Sequence, residues 1–337
     1  MGLVYALIAY GFQLTYATSK SVNFGQGELV MVSAFASLSL LGLGIPYWLV
    51  VPLGLLVGAL MGLVYALIAY GFQLTYATSK SVNFGQGELV MVSAFASLSL
   101  QGLGLPYWLV VPLGLLIGAL LGLAVERAAV RLALEQRSEG WILLTIIGGL
   151  FLFSTAENVW GRDDRPFPTP IPSDPIHVLG VDVTGLELSV LAGVVAVMVL
   201  VEVFKRRTLL GKAFDAVSAD RDAGELMGIS ATRTVMLSYG LSGAVAALAG
   251  ILVSPITTVG PTMASVLVLK AFSVAVVAGL ESGFGVVVVG LFLGALESLA
   301  SIYVGSGWRE APGLVLLILA LAVRPTGVFG KAVIRKV

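Results

Sequence analysis

Two charged side chains, Lys270 and Glu297, interrupt otherwise apolar runs, and any chemistry inside this chain would be sought there first. Glu297 stands midway through residues 285–304, where a carboxylate costs at least ~2.5–3.5 kcal/mol on insertion scales. Counted along helices from the turn near residues 281–283, Lys270 lies ~15 Å deep and Glu297 ~20 Å. A lysine stem bridges that ~5 Å by snorkelling. The two are therefore expected to pair, either as a structural latch or as a pair lining a pathway. A second polar interruption is Ser81-Val-Asn-Phe-Gly-Gln-Gly-Glu-Leu89, which recurs at 21–29. Asn83 can cap a helix there, with Gln86 reaching back in capping-box fashion. Glu88 falls in the first turn, where the helix dipole favours an acid. The segment is either a well-capped helix start or a broken helix whose freed backbone lines a pathway. Asn83, Gln86, Glu88, Lys270 and Glu297 are the candidate pathway residues.

Enzymatic chemistry has little to work with. The chain has no cysteine and one histidine, His177, so thiolate nucleophiles, disulfides and histidine-cluster metal sites are excluded. Gly211-Lys212 and Gly330-Lys331 both lack the upstream glycine of a phosphate loop, and hydrolase, kinase and zinc-protease signatures are missing. No catalytic residue, metal site or cofactor is expected, and any use of ATP would fall to another subunit. Lys plus Arg and Asp plus Glu both total 19, with no basic patch to suggest nucleic-acid binding.

These residues must be positioned by membrane helices. The 337 residues are 58% hydrophobic and only 11% charged, with a mean hydropathy of +1.01, against roughly 25% charged in a soluble domain. Apolar runs approach the ~17–25 residues that cross a bilayer. Spans are expected near 62–79, 86–101, 106–124, 141–159, 187–204, 234–253, 265–280, 284–304 and 312–323, so the fold class is an all-α polytopic membrane protein with about nine spans in 61–337. Basic residues cluster in 125–140, in 205–233 and in the tail, whereas 160–186 is acidic and 254–264 uncharged. That alternation fits nine crossings with a cytoplasmic C-terminus. The first residues lack a signal-peptide layout and read as a spanning helix. Loop 160–186 carries Pro166, Pro168, Pro170, Pro172 and Pro175 and must be extended, as a stiff connector or an external docking surface. Gly114, Gly118 and Gly122, and again Gly290 and Gly294, recur at four-residue spacing and mark close helix–helix seams.

Residues 1–60 recur as 61–120 with three changes, Leu41/Gln101, Ile45/Leu105 and Val57/Ile117. Each unit reads as three spans, and inserting an odd number would invert everything downstream. The conflict disappears if 46–79 is one long tilted helix, ~51 Å against a ~30 Å core, or if one copy is not a native element. Structural repeats in transporters are weak in sequence. This one is nearly letter-perfect, and 1–60 reads as a recent or non-native duplicate of 61–120, dispensable for function.

The Asn83-Phe-Gly-Gln-Gly-Glu88 run resembles one in permeases of branched-chain amino acid ABC importers. The similarity continues through Glu126-Arg127, Trp160-Gly161 with Pro166-Phe-Pro168, the 211–232 loop, Leu269-Lys-Ala-Phe272 and Arg324-Pro-Thr-Gly-Val-Phe-Gly330. It covers 61–337 almost completely. Two departures are the extra copy and a Met1 placed within what should be the first helix. The resemblance implies a permease-like bundle in a bacterial inner membrane. It further implies two cytoplasmic ATPase subunits, a second related permease and a substrate-binding protein outside. By itself, 211–229 reads as a short amphipathic helix and a turn at Gly228, as in many solvated loops. The resemblance makes it the coupling segment that docks on the ATPase, with Gly211, Phe214, Asp215, Arg221, Glu225 and Gly228 as its residues. Urea or short-amide import, an ion-coupled secondary transporter or channel with Glu297 as its ion site, and a non-transporting scaffold are the alternatives.

Overall fold

The computed structural model describes residues 47–330 apart from 137, 172–174, 179–180, 304, 309 and 325. The first copy up to residue 46, including its 21–29 motif, and the basic tail beyond 330 lie outside the described residues. Twelve α-helices follow in order among the described residues: α1 (Tyr47–Ser79), α2 (Gln86–Gly102), α3 (Tyr107–Val125), α4 (Arg131–Glu135), α5 (Trp141–Trp160), α6 (Gly185–Arg207), α7 (Leu209–Ala219), α8 (Arg221–Leu226), α9 (Ala231–Thr257), α10 (Thr262–Ala278), α11 (Gly283–Tyr303) and α12 (Ala311–Val323). Among the described residues, six helical stretches are long and apolar enough to cross a membrane: Gly54–Ser79, Tyr107–Glu135, Trp141–Trp160, Leu188–Arg207, Ala231–Thr257 and Gly283–Ser301. Every segment expected to span is helical, but α2, α10 and α12 are shorter, at 17, 17 and 13 residues.

The bundle is all-α as expected, and one short hairpin lies beside it. Within the proline-rich loop, β1 (Pro175–Val178) and β2 (Val181–Thr184) form an antiparallel hairpin, from Pro175 opposite Thr184 to Val178 opposite Val181. The prolines keep this loop out of helix, and Pro175 sits at the first residue of a strand, where a missing N–H is tolerated. The same loop is tied to the α9–α10 connection by a backbone bridge between Arg165 and Val259.

Residues 47–79 form one continuous helix of 33 residues, the long-helix solution to the parity of the duplicated spans. At ~1.5 Å per residue it extends ~50 Å, beyond a ~30 Å core. The duplicated tract is thereby used twice: as the first half of α1 (47–62) and as the body of α3 (107–122). Each use packs through the same glycines on a different partner. A Cβ built on Gly62 would lie 2.0 Å from the Gly290 carbonyl oxygen, and one on Gly58 2.8 Å from that of Gly294. In α3, a Cβ on Gly118 would lie 2.4 Å from the Gly243 carbonyl oxygen, and one on Gly122 2.1 Å from that of Tyr239. These seams join α1 to α11 and α3 to α9, the two most extensive helix pairs among the described residues. Backbones can approach this closely only where no side chain intervenes.

Between α3 and α4 the chain makes a π turn over Glu126–Val130. Its wider winding lets residues five apart face each other. Buried Glu126 accepts two hydrogen bonds from Arg131, at 3.1 and 2.9 Å.

Candidate functional site: a buried charge pair and a polar seam

Three helices meet at Lys270. Its Nζ lies 3.0 Å from Glu297 Oε1 and donates to Oε2 at 3.2 Å. The Tyr65 hydroxyl donates to the same Oε2 at 3.1 Å, and the ammonium is 3.3 Å from that hydroxyl and 5.1 Å from the Tyr65 ring centre. Lys270 is 7% exposed and Glu297 2%. The expected pairing of residues 27 positions apart is therefore present, and α1 supplies a third member. Tyr65 escaped the sequence reading because a tyrosine in an apolar helix is ordinary; its depth, 14 residues before the end of α1, was the available signal.

Beside Tyr65, Met61, Val64, Val190, Val253, Ile256, Thr257 and Leu267 line a narrow cleft between α1, α6, α9 and α10, with room for about 20 Å³. Thr257 ends α9, and the next residue, Thr258, takes φ +71°, a backbone conformation that costs a non-glycine residue of order 1–3 kcal/mol.

Asn83 and Gln86 belong to a different arrangement. Asn83 Oδ1 accepts the Gly85 N–H at 3.1 Å, while its Nδ2 donates to Gln86 Oε1 at 3.3 Å. Gln86 does not reach back to the Asn83 backbone as a capping box would have it. Its Nε2 crosses to the Ser242 carbonyl on α9 at 3.4 Å, and the Ser242 hydroxyl donates to the Gly71 carbonyl on α1 at 2.8 Å. The glutamine is drawn away because a polar α9 stands opposite. Thr78 with Ser238 at 2.7 Å extends this seam between α1 and α9, and Ser81, just past the end of α1, meets Tyr239 at 2.8 Å. Glu88 points elsewhere, toward α5, where its carboxylate would be 3.2 Å from a Cβ on Gly149. Among the described residues its Oε2 is buried without a hydrogen-bond partner. The five candidate residues thus form one pair, one seam and one separate carboxylate.

The coupling candidates lie on a helical hairpin following α6. Thr208 caps α7 by accepting the Gly211 N–H at 3.0 Å, and Asp220 caps α8 by accepting that of Ala223 at 3.0 Å. A Cβ on Gly211 would lie 2.0 Å from the Lys205 carbonyl oxygen, so only glycine permits this tight turn of α6 into α7. Phe214, 4% exposed, packs edge-on against Phe204 with centroids 6.3 Å apart. It anchors the hairpin and is not itself available to a partner. The apolar residues presented outward are Leu209, Leu226 and Met227, each more than 80% exposed. Asp215, Arg221 and Glu225 are exposed around them, and Gly228 turns the chain at φ +83°. At this end α6 is held to α1 by Tyr70, which donates to Glu202 Oε2 at 3.1 Å, while Arg206 bonds the other carboxylate oxygen at 2.6 Å.

Known proteins give this arrangement a family. The chain is 28% identical to the high-affinity branched-chain amino acid transport system permease protein LivH of Salmonella typhimurium, over 83% of this chain and 96% of that one. Identity is 27% to the permease protein BraD of Pseudomonas aeruginosa over the same shares. The ribose import permease protein RbsC of Haemophilus influenzae is 25% identical over 77% of this chain and 81% of its own. Among solved structures, PsaBC from Streptococcus pneumoniae in complex with Fab aligns with a TM-score of 0.44 at 12% identity, over 80% of this chain and 91% of that one. The model of the branched-chain amino acid transport system permease component matches residues 1–68 and again 62–323, so that the long apolar helices, their glycine seams and the polar α1–α9 contact are those of a chain that belongs to this permease family.

Proposed function

We propose that this chain is the membrane-spanning permease subunit of an ABC importer for branched-chain amino acids, with ATP hydrolysed by separate subunits. The observation that carries the reading is the family match, which runs through 62–323 and so includes the α7–α8 hairpin as well as the spans. In this reading nine helices cross the bilayer, with α2 and α10 short and largely buried among longer neighbours, and α12 short and mostly exposed at the edge of the bundle. The C-terminus and the α7–α8 hairpin lie in the cytoplasm, as the Lys and Arg of 205–233 favour. Leu209, Leu226 and Met227 enter a groove on the ATPase, with Asp215, Arg221 and Glu225 at the rim, a helix-in-groove contact that passes on a rigid-body movement. Two ATPases, a second permease and an external binding protein complete the importer. Residues 1–60 are dispensable for transport in this arrangement.

A sugar substrate is the second reading, favoured by the similarity to RbsC. Uptake by the complete complex in proteoliposomes decides: leucine uptake competed by isoleucine and valine supports the first, and competition by ribose but not by valine would replace it.

A further inference from the structure

We propose that the Lys270–Glu297 pair and the cleft beside Tyr65 form the substrate's resting place inside the permease. The pair would open to take the two charged ends of a zwitterionic amino acid. This rests on the reading of the chain as an amino-acid permease. Lys270 Nζ contacts both oxygens of Glu297, with the Tyr65 hydroxyl on one of them. An ammonium and a carboxylate held together inside a membrane are neutral as a unit, and a free zwitterion is neutral too. Inserting one between the other leaves every charge partnered: Lys270 receives the α-carboxylate and Glu297 the α-ammonium. A ligand lacking either end would separate the pair while replacing the partner of only one member, which is costly. The pair therefore selects against amines, acids and sugars without excluding any by size.

Side-chain selection falls to the cleft. Tyr65 forms one wall, and Val64, Val190, Val253, Ile256 and Leu267 supply surfaces suited to a branched aliphatic group. Its present volume of about 20 Å³ holds about one water molecule. A six-carbon ring occupies an engineered cavity of about 150 Å³, so the cleft must widen to hold a branched side chain and one wall must move. The geometry identifies that wall as α6. It contributes Val190 to the cleft and, at its other end, runs through the Thr208 cap into α7. From Val190 to Lys205 is ~22 Å of continuous helix, a rod long enough to carry a displacement of the α7–α8 hairpin to the cleft.

Because the chain has no cysteine, a single Val253→Cys substitution gives a unique thiol in the cleft, with Leu267→Cys as a second reporter should the first fail to assemble. In the complete complex in proteoliposomes, during ATP turnover, the thiol is expected to react with a small methanethiosulfonate. Leucine at ten times its half-saturating concentration should slow that reaction about tenfold. Isovalerate and isoamylamine, each lacking one charged end, should not. Tyr65→Phe should raise the leucine KM about 2–12-fold through loss of one hydrogen bond in the site. A thiol that never reacts, or that leucine fails to protect while leucine uptake proceeds, would overturn this site and leave the permease reading standing. Equal protection by isovalerate or isoamylamine would overturn the paired-charge selection. Absence of leucine uptake in the unsubstituted complex would remove both.

Discussion

Replacing Gly62 with alanine should loosen the α1–α11 seam, and the structure sets the scale. The new methyl carbon would lie 2.0 Å from the Gly290 carbonyl oxygen and 2.9 Å from the Gly294 nitrogen. Both obstacles are backbone, so no rotamer change relieves the clash and the helices must separate by about an ångström. A gap of 0.5–1 Å forfeits roughly a quarter to a half of each affected dispersion contact, and overpacking of this kind costs about 1–3 kcal/mol. At roughly 2–4 °C per kcal/mol, the thermal midpoint of the purified chain in detergent should fall by several degrees. Gly118→Ala tests the same tract in its second setting, where the added carbon meets Gly243 oxygen and Ala247 Cβ at 2.4 Å, and should behave alike. Gly148→Ala is the control: nothing lies within 4 Å of its new carbon. Alanine in a helix there should be neutral or stabilising by up to about 0.5–1 kcal/mol. An unchanged midpoint for Gly62→Ala, or an equal fall for Gly148→Ala, would refute the seam as the cause.

Glu126→Gln should destabilise by about 1.5–3 kcal/mol, since it weakens a charge-assisted bidentate contact, and Arg131, partly exposed, retains access to solvent; an unfolding midpoint within error of the parent would contradict this. Deleting residues 1–46 should leave expression, midpoint and uptake unchanged. Deleting 1–60 keeps ~28 Å of the first span and should preserve uptake while lowering the midpoint, because Gly294 and Ser298 lose the helix that covers them; loss of uptake at normal expression would show that the first copy is needed. Burial, with Asp163 beside it, pushes the Asp164 carboxyl above its usual 3.8. The folded chain therefore binds this proton more tightly than the unfolded one, and its contribution to stability is present at low pH and lost as pH rises through the raised pKa. Asp164→Asn should abolish that decline, read as the pH dependence of the unfolding midpoint upward from the ordinary carboxyl value of 3.8.

Much of this architecture was legible because hydropathy and glycine spacing speak directly about membrane helices. Lys270 and Glu297 were matched from depth alone, since a mid-membrane charge needs a partner and a lysine stem bridges the difference in their depths. The Gly114–Gly122 and Gly290–Gly294 repeats announced seams, although not which helices they join. Partner identity depends on tertiary placement, and identical tracts found different partners: α11 for 47–62 and α9 for 107–122. Gln86 was misread for a related reason, as local capping lost to a hydroxyl-rich face on α9 that is 156 residues away. Phe214 turned inward because the apolar side of so short a helix closes first on its own chain. The hairpin at 175–184 escaped notice because prolines exclude helix without announcing a strand.

The central claim, that ATP hydrolysed elsewhere drives substrate through this chain by way of the α7–α8 hairpin, is tested most directly at Gly228. Its φ of +83° is closed to proline, whose ring holds φ near −65°, so Gly228→Pro must rebuild the turn without touching any span. In proteoliposomes containing the whole complex, ATP-dependent leucine uptake should be lost while the complex still assembles. Undiminished uptake by that variant, or leucine transport by the isolated chain under an ion gradient without ATP, would contradict it.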